Sequence, residues 1–91
     1  MQAVTKNLKV HNDLGIHARA AARIVTLGRE FESKLTFKKN GVEVDGSSIL
    51  SILTLSCPKG TEVEARIVGE DSDRFMEKLS ELFEQKFGEM K

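Results

Sequence analysis

The stretch SKLTFKKNGVEVDG, residues 33–46, alternates apolar and polar side chains on both sides of an Asn-Gly pair. Leu35 and Phe37 alternate with Lys34, Thr36 and Lys38, and Val42 and Val44 alternate on the return. Asn40 and Gly41 both tolerate positive φ, as a two-residue hairpin turn requires. The segment is therefore read as two antiparallel strands, each with one apolar face. Two more segments share the period of two. VTKNLKV (4–10) sets Val4, Leu8 and Val10 among polar residues, and TEVEARIVG (61–69) sets Val63, Ala65 and Ile67 on one face.

The intervening segments carry helical spacing. Ala21, Ile24, Val25 and Leu27 make one apolar stripe on a helix that begins around Ile16 and ends near residues 29–32. SSILSILTL (47–55) opens on serines, which are good N-caps, and continues as a short apolar helix. Cys57-Pro58-Lys59-Gly60 then breaks the chain. In residues 70–88, Asp71 or Ser72 is the cap, and Phe75, Met76, Leu79, Leu82, Phe83 and Phe87 follow at helical intervals. The order β-α-β-β-α-β-α implies an α+β fold with the helices on one face of an antiparallel sheet. The lysines and glutamates at alternate strand positions suit a solvated opposite face.

Composition limits the function. The chain has 91 residues, so one domain spanning 1–91 is expected. A domain this small offers little room for a deep cleft, so its chemistry should lie near the surface. Fourteen basic and fourteen acidic residues balance to zero, which argues against bulk electrostatic binding of nucleic acid. Cys57 is the only cysteine, so no internal disulfide can form, and a reducing compartment fits. No segment approaches the roughly 18 apolar residues of a membrane span, and the start MQAVTKNLKV lacks a signal-peptide core. A cytoplasmic protein without direct membrane insertion is expected.

Residues 15–25, GIHARAAARIV, hold the one suggestive constellation. His17 and Arg19 lie at the mouth of a helix otherwise made of small residues. The free N–H groups there favour an anion such as phosphate. A neutral imidazole beside them carries a lone pair and can attack a phosphoryl group. The backbone amides of Ala18 and Arg19 and the Arg19 guanidinium would then hold the phosphate oxygens. The competing reading is an exposed histidine near a cap with no role. Metal binding is disfavoured: His11 and His17 are the only histidines, and no ligand spacing appears. Hydrolysis with His17 as base lacks a marked second acid or nucleophile. In the second helix, Ile49, Ile52 and Leu53 can face the core, leaving Leu50 too apolar for open solvent. That suggests either a docking patch or a fully buried helix. Ser47 or Ser48 is mainly a cap and secondarily a phosphorylation site.

GIHARAAARIV, NGVEVDGSSILSILTL and KGTEVEARIVGED, in that order and spacing, resemble the histidine-containing phosphocarrier proteins (HPr) of the bacterial phosphoenolpyruvate:sugar phosphotransferase system. The resemblance runs from about residue 4 to residue 87. It implies an open-faced β-sandwich with strand order 1-4-2-3, two longer helices and one short helix. His17 matches the histidine that Enzyme I phosphorylates on Nδ1, with phosphoenolpyruvate as source, and that passes the group to an enzyme IIA domain. Arg19 matches the arginine that assists transfer, and Ala22, Ile49, Leu50 and Leu53 match the docking surface. Ser48 matches the serine that HPr kinase/phosphorylase modifies in many bacteria.

The resemblance also implies a monomer without cofactor or metal, a co-substrate of Enzyme I rather than a catalyst. A nitrogen-branch phosphocarrier and a regulatory module controlled through Ser48 are the alternatives. Two positions depart from the family pattern. Ala20 stands where a proline usually follows the arginine, and Ser51 stands where glycine is usual.

Overall fold

The computed structural model describes residues 2–91. Its elements are β1 (Ala3–Lys9), α1 (Ala18–Gly28), β2 (Lys34–Lys39), β3 (Val42–Asp45), α2 (Ile49–Leu53), β4 (Glu62–Val68) and α3 (Ser72–Glu84), followed by a 3-10 turn (Lys86–Gly88). Asn40 and Gly41 take φ of 52° and 81°, and Lys39 pairs with Val42 across them. This is the two-residue turn whose twist matches that of the flanking strands. The hairpin is one edge of a four-stranded antiparallel sheet in the order β1-β4-β2-β3, as the resemblance implies.

Register sorts the two faces. Leu8 lies opposite Val63, Leu35 opposite Ile67, and Phe37 opposite Ala65, and all six are buried. The large ring of Phe37 beside the small Ala65 fills space at the close packing of protein interiors. Burial of a side chain such as Phe37 or Ile67 stabilises the fold by about 1.5–3 kcal/mol. On the other face Lys9 lies opposite Glu62, and Lys38 opposite both Glu64 and Glu43. Opposite charges at facing positions support pairing on a wet surface. Val42 is exposed because it lies on the edge strand beside the turn.

The helices close the apolar face. Ala20, Ala21, Ile24 and Val25 from α1 and Phe75, Met76, Leu79 and Phe83 from α3 are buried. Phe31 stacks flat on Phe75 at 4.8 Å between ring centroids, and Phe83 meets Phe87 edge-on at 4.9 Å. No helix among the described residues is long and apolar enough to cross a membrane.

Two helix boundaries depart from the sequence reading. First, α1 begins at Ala18 and not at Ile16, because the chain is held extended until His17, whose ψ is −177°. Gly15 adopts φ of +70°, and a Cβ there would stand 2.5 Å from the Cys57 carbonyl oxygen and 2.8 Å from the Pro58 Cα. Only glycine permits that approach, which lets the Ile16 amide donate to the same carbonyl at 2.9 Å. Second, α3 stops at Glu84. Lys86 and Phe87 both take φ of 57°, so Phe87 reaches the core through a left-handed turn rather than along the helix. Asp71 is the N-cap position of α3 but makes no capping bond. Its carboxylate accepts instead from the Glu32 and Ser33 amides and the Ser33 hydroxyl, tying the start of β2 to the start of α3.

Candidate functional site

His17 is the N-cap of α1. Its Nδ1 accepts a hydrogen bond from the Arg19 amide at 3.1 Å, while the Ala21 amide closes the first helical bond to the His17 carbonyl at 2.9 Å. This satisfies one of the orphan donors of the first turn. The other ring nitrogen, Nε2, lies 2.5 Å from Oε2 of Glu89. An amide can only donate and an ionised carboxylate can only accept. The neutral ring therefore carries its proton on Nε2 and its lone pair on Nδ1. The His17 side chain keeps about a quarter of its surface exposed, at 26%, so it is reachable from solvent.

Glu89 lies beyond the left-handed turn, on the tail that returns to the loop before α1. The fully buried Asn12 bridges the two: its Nδ2 donates to Oε1 of Glu89 at 2.9 Å and to the Gly15 carbonyl at 2.7 Å. The Asp13 amide also donates to the Lys91 carbonyl. Burial pushes the Glu89 carboxyl up, but the hydrogen bonds from Asn12 and His17, with the charges of His17 and Arg19, outweigh it. Its pKa therefore lies below the ordinary carboxylate range. The Arg19 guanidinium, on the exposed first turn, belongs to the same cluster of charge. In the loop before α1, Asp13 pairs with Lys59 at 2.8 Å, and that hydrogen bond and charge lower its pKa.

The remaining predicted residues lie on α1 and α2. Ala18 is exposed in the first turn, and Ala22 is half-buried in a groove between α1 and α3 that Arg19, Arg23, Leu27 and Leu82 also line. Ser48 caps α2 through its hydroxyl, which accepts from the Ser51 amide at 3.2 Å. Ile52 is buried, Ile49 and Leu53 are half-buried, and Leu50 is 77% exposed, so α2 has the open apolar surface its spacing suggested. Leu14, in the loop before His17, is exposed as well, at 69%. The α1–α3 groove contains Ala22 but none of the α2 residues.

Sequence reasoning missed Asn12 and Glu89. No local pattern marks either, since Glu89 meets its partners only after a return across 72 residues. Cys57 is buried, and burial pushes its thiol up, away from the reactive thiolate.

Fold and site define a small open-faced α+β protein that presents, at a helix mouth, a histidine whose unprotonated Nδ1 accepts from the Arg19 amide. Residues 4–85 match the family model described as the PTS HPr component phosphorylation site. The chain is 44% identical over 82 residues to the phosphocarrier protein HPr of Xylella fastidiosa (strain Temecula1), covering 90% of this chain and 92% of that one. It is 33% identical to the HPr of Neisseria meningitidis serogroup A over 84 residues, covering 92% and 94%. The crystal structure of HPr-C-His from Thermoanaerobacter tengcongensis superposes with a TM-score of 0.88 at 33% identity, covering all of both chains. The chain belongs to the HPr family of phosphocarrier proteins.

Proposed function

We propose that the protein accepts a phosphoryl group on Nδ1 of His17 from Enzyme I, with phosphoenolpyruvate as source, and passes it to an enzyme IIA domain. The observation that carries this reading is the His17 ring, protonated at Nε2 and with its Nδ1 lone pair at the mouth of α1. In the accepting step the Arg19 amide releases Nδ1, the lone pair attacks phosphorus, the Nδ1–P bond forms, and the bond from phosphorus to the donor breaks. Nε2 keeps its proton. The amides of Ala18 and Arg19 and the Arg19 guanidinium take the phosphoryl oxygens. Transfer onward reverses these roles with a new acceptor.

Both partners would dock in turn on one surface that includes Ala22, Ile49, Leu50 and Leu53. The exposed Leu50 supports this. The protein acts as a monomeric single domain in the cytoplasm and is a co-substrate of Enzyme I. Incubation with phosphoenolpyruvate and Enzyme I should add the mass of one phosphoryl group in an acid-labile, base-stable linkage. No gain, or a gain that persists in His17→Ala, rejects the reading.

A second role, regulation through Ser48 by a kinase of the HPr kinase/phosphorylase type, is favoured by the Ser48 hydroxyl at the start of the helix that bears Leu50. ATP and that kinase should give an acid-stable phosphoserine that Ser48→Ala abolishes. Whether the acceptor serves sugar uptake or a nitrogen branch is decided by which IIA domain drains the phosphoryl group faster.

A further inference from the structure

We propose that Glu89 is a positioning residue for phosphoryl transfer: from the tail beyond α3 it holds the His17 proton on Nε2 and offsets the positive charge the ring gains at Nδ1. The inference rests on the carrier reading of His17 and deepens it.

Three observations converge on it. Nε2 lies within hydrogen-bond distance of Oε2, at 2.5 Å. The carboxylate is itself held, because buried Asn12 donates to its other oxygen at 2.9 Å while also donating to the Gly15 carbonyl. The backbone places it, since the left-handed pair Lys86 and Phe87 turns the chain out of α3 and a bond between Asp13 and Lys91 docks the tail. The Glu89 side chain is 13% exposed, so the contact is only partly screened by water.

The chemistry follows from the proton count. A neutral imidazole with its proton on Nε2 becomes an imidazolium when Nδ1 bonds to phosphorus, because no proton leaves the ring. A carboxylate on the Nε2 proton stabilises that charge, as a buried aspartate does for the histidine of a hydrolytic triad. It also disfavours the tautomer protonated at Nδ1, which has no lone pair with which to attack. The Nε2 edge is covered by the tail, and the Nδ1 edge, which faces only the Arg19 amide at the helix mouth, is the one the donor meets.

The test uses the full chain labelled with nitrogen-15 at histidine. In the wild type, the His17 resonances should report an unprotonated Nδ1 and a protonated Nε2. Glu89→Ala should mix the two tautomers and shift the phosphorylation equilibrium with Enzyme I about tenfold against the carrier, the scale of one hydrogen bond to a charged group. Glu89→Gln keeps the shape without the charge and should fall between the two. Met90→Ala, at the exposed neighbouring position, should match the wild type. Circular dichroism of each variant separates loss of the fold from loss of the contact. An unchanged tautomer in folded Glu89→Ala, or an equilibrium equal to or more favourable than wild type, overturns the proposal. If the wild type takes up no phosphoryl group, the carrier reading fails, and the tautomer measurement still decides whether Glu89 sets the ring.

Discussion

The protein opens two helices with a side-chain cap, and the caps differ in what else holds them. At the mouth of α1, Nδ1 of His17 accepts from the Arg19 amide, and the far edge of the ring is gripped by Glu89 and Asn12. At the mouth of α2, the Ser48 hydroxyl accepts from the Ser51 amide, while the neighbouring Ser47 bonds to Asp45. Every side-chain bond at the α2 mouth spans three residues or fewer. The α1 mouth gathers groups from the two ends of the chain. A cap that only begins a helix can be built locally, whereas a ring whose two nitrogens must differ needs an acceptor on one side and a donor on the other.

The largest separation between the two mouths should appear in phosphoryl uptake. His17→Ala is expected to abolish phosphorylation by phosphoenolpyruvate and Enzyme I, and Ser48→Ala to retain it, as read by intact mass. Equal loss in both variants would erase the distinction. The next effect concerns the close approach that places His17. Gly15→Ala combines a positive φ with a clash against the backbone at Cys57 and Pro58, and should destabilise by about 2–4 kcal/mol in urea unfolding. Gly41→Ala, where nothing lies within 4 Å, should cost only about 1 kcal/mol, that of the left-handed conformation. Ser48→Ala should cost about 1 kcal/mol through the lost cap, with Ser48→Gly recovering most of it.

A weaker contrast is in pH. The pKa of Glu89 is lowered in the folded state, so its stabilisation is present above the ordinary glutamate value of about 4.3. It is lost as pH falls through the lowered value. The thermal midpoint should therefore drop on acidification below about pH 4, and less steeply in Glu89→Gln. The smallest effect is at Ala20, which lies in the first turn of α1 where an N–H is spare. Ala20→Pro should raise stability by about 0.4–1 kcal/mol by restricting the unfolded chain. A loss instead would show that this buried position lacks room for the ring.

Legibility in the sequence tracks the range of the interactions. The β2–β3 hairpin was readable because Asn40 and Gly41 act on their own strands, and α2 because its apolar spacing leaves only Leu50 outside. The start of α1 was misplaced because its last extended residues are held by Cys57, some forty positions on. The end of α3 was misplaced because Lys86 and Phe87 carry no turn signature, although both adopt left-handed backbone. His17, Arg19 and Ser48 were found from local chemistry and from the resemblance, which also supplied the strand order. Glu89 and Asn12 were not found, because one glutamate after a glycine looks like any other until the tail is folded.

The left-handed turn at Lys86 and Phe87 also bears on how the molecule is made. Synthesis runs from the N-terminus, and folding can begin while the chain grows. His17 is made early, yet the carboxylate that sets its ring arrives 72 residues later and reaches it only after the turn has reversed the chain. Contacts so distant in sequence form slowly. Until then the His17 ring has no carboxylate on its Nε2 edge to fix its proton. Competence for transfer would be the last property the growing chain acquires.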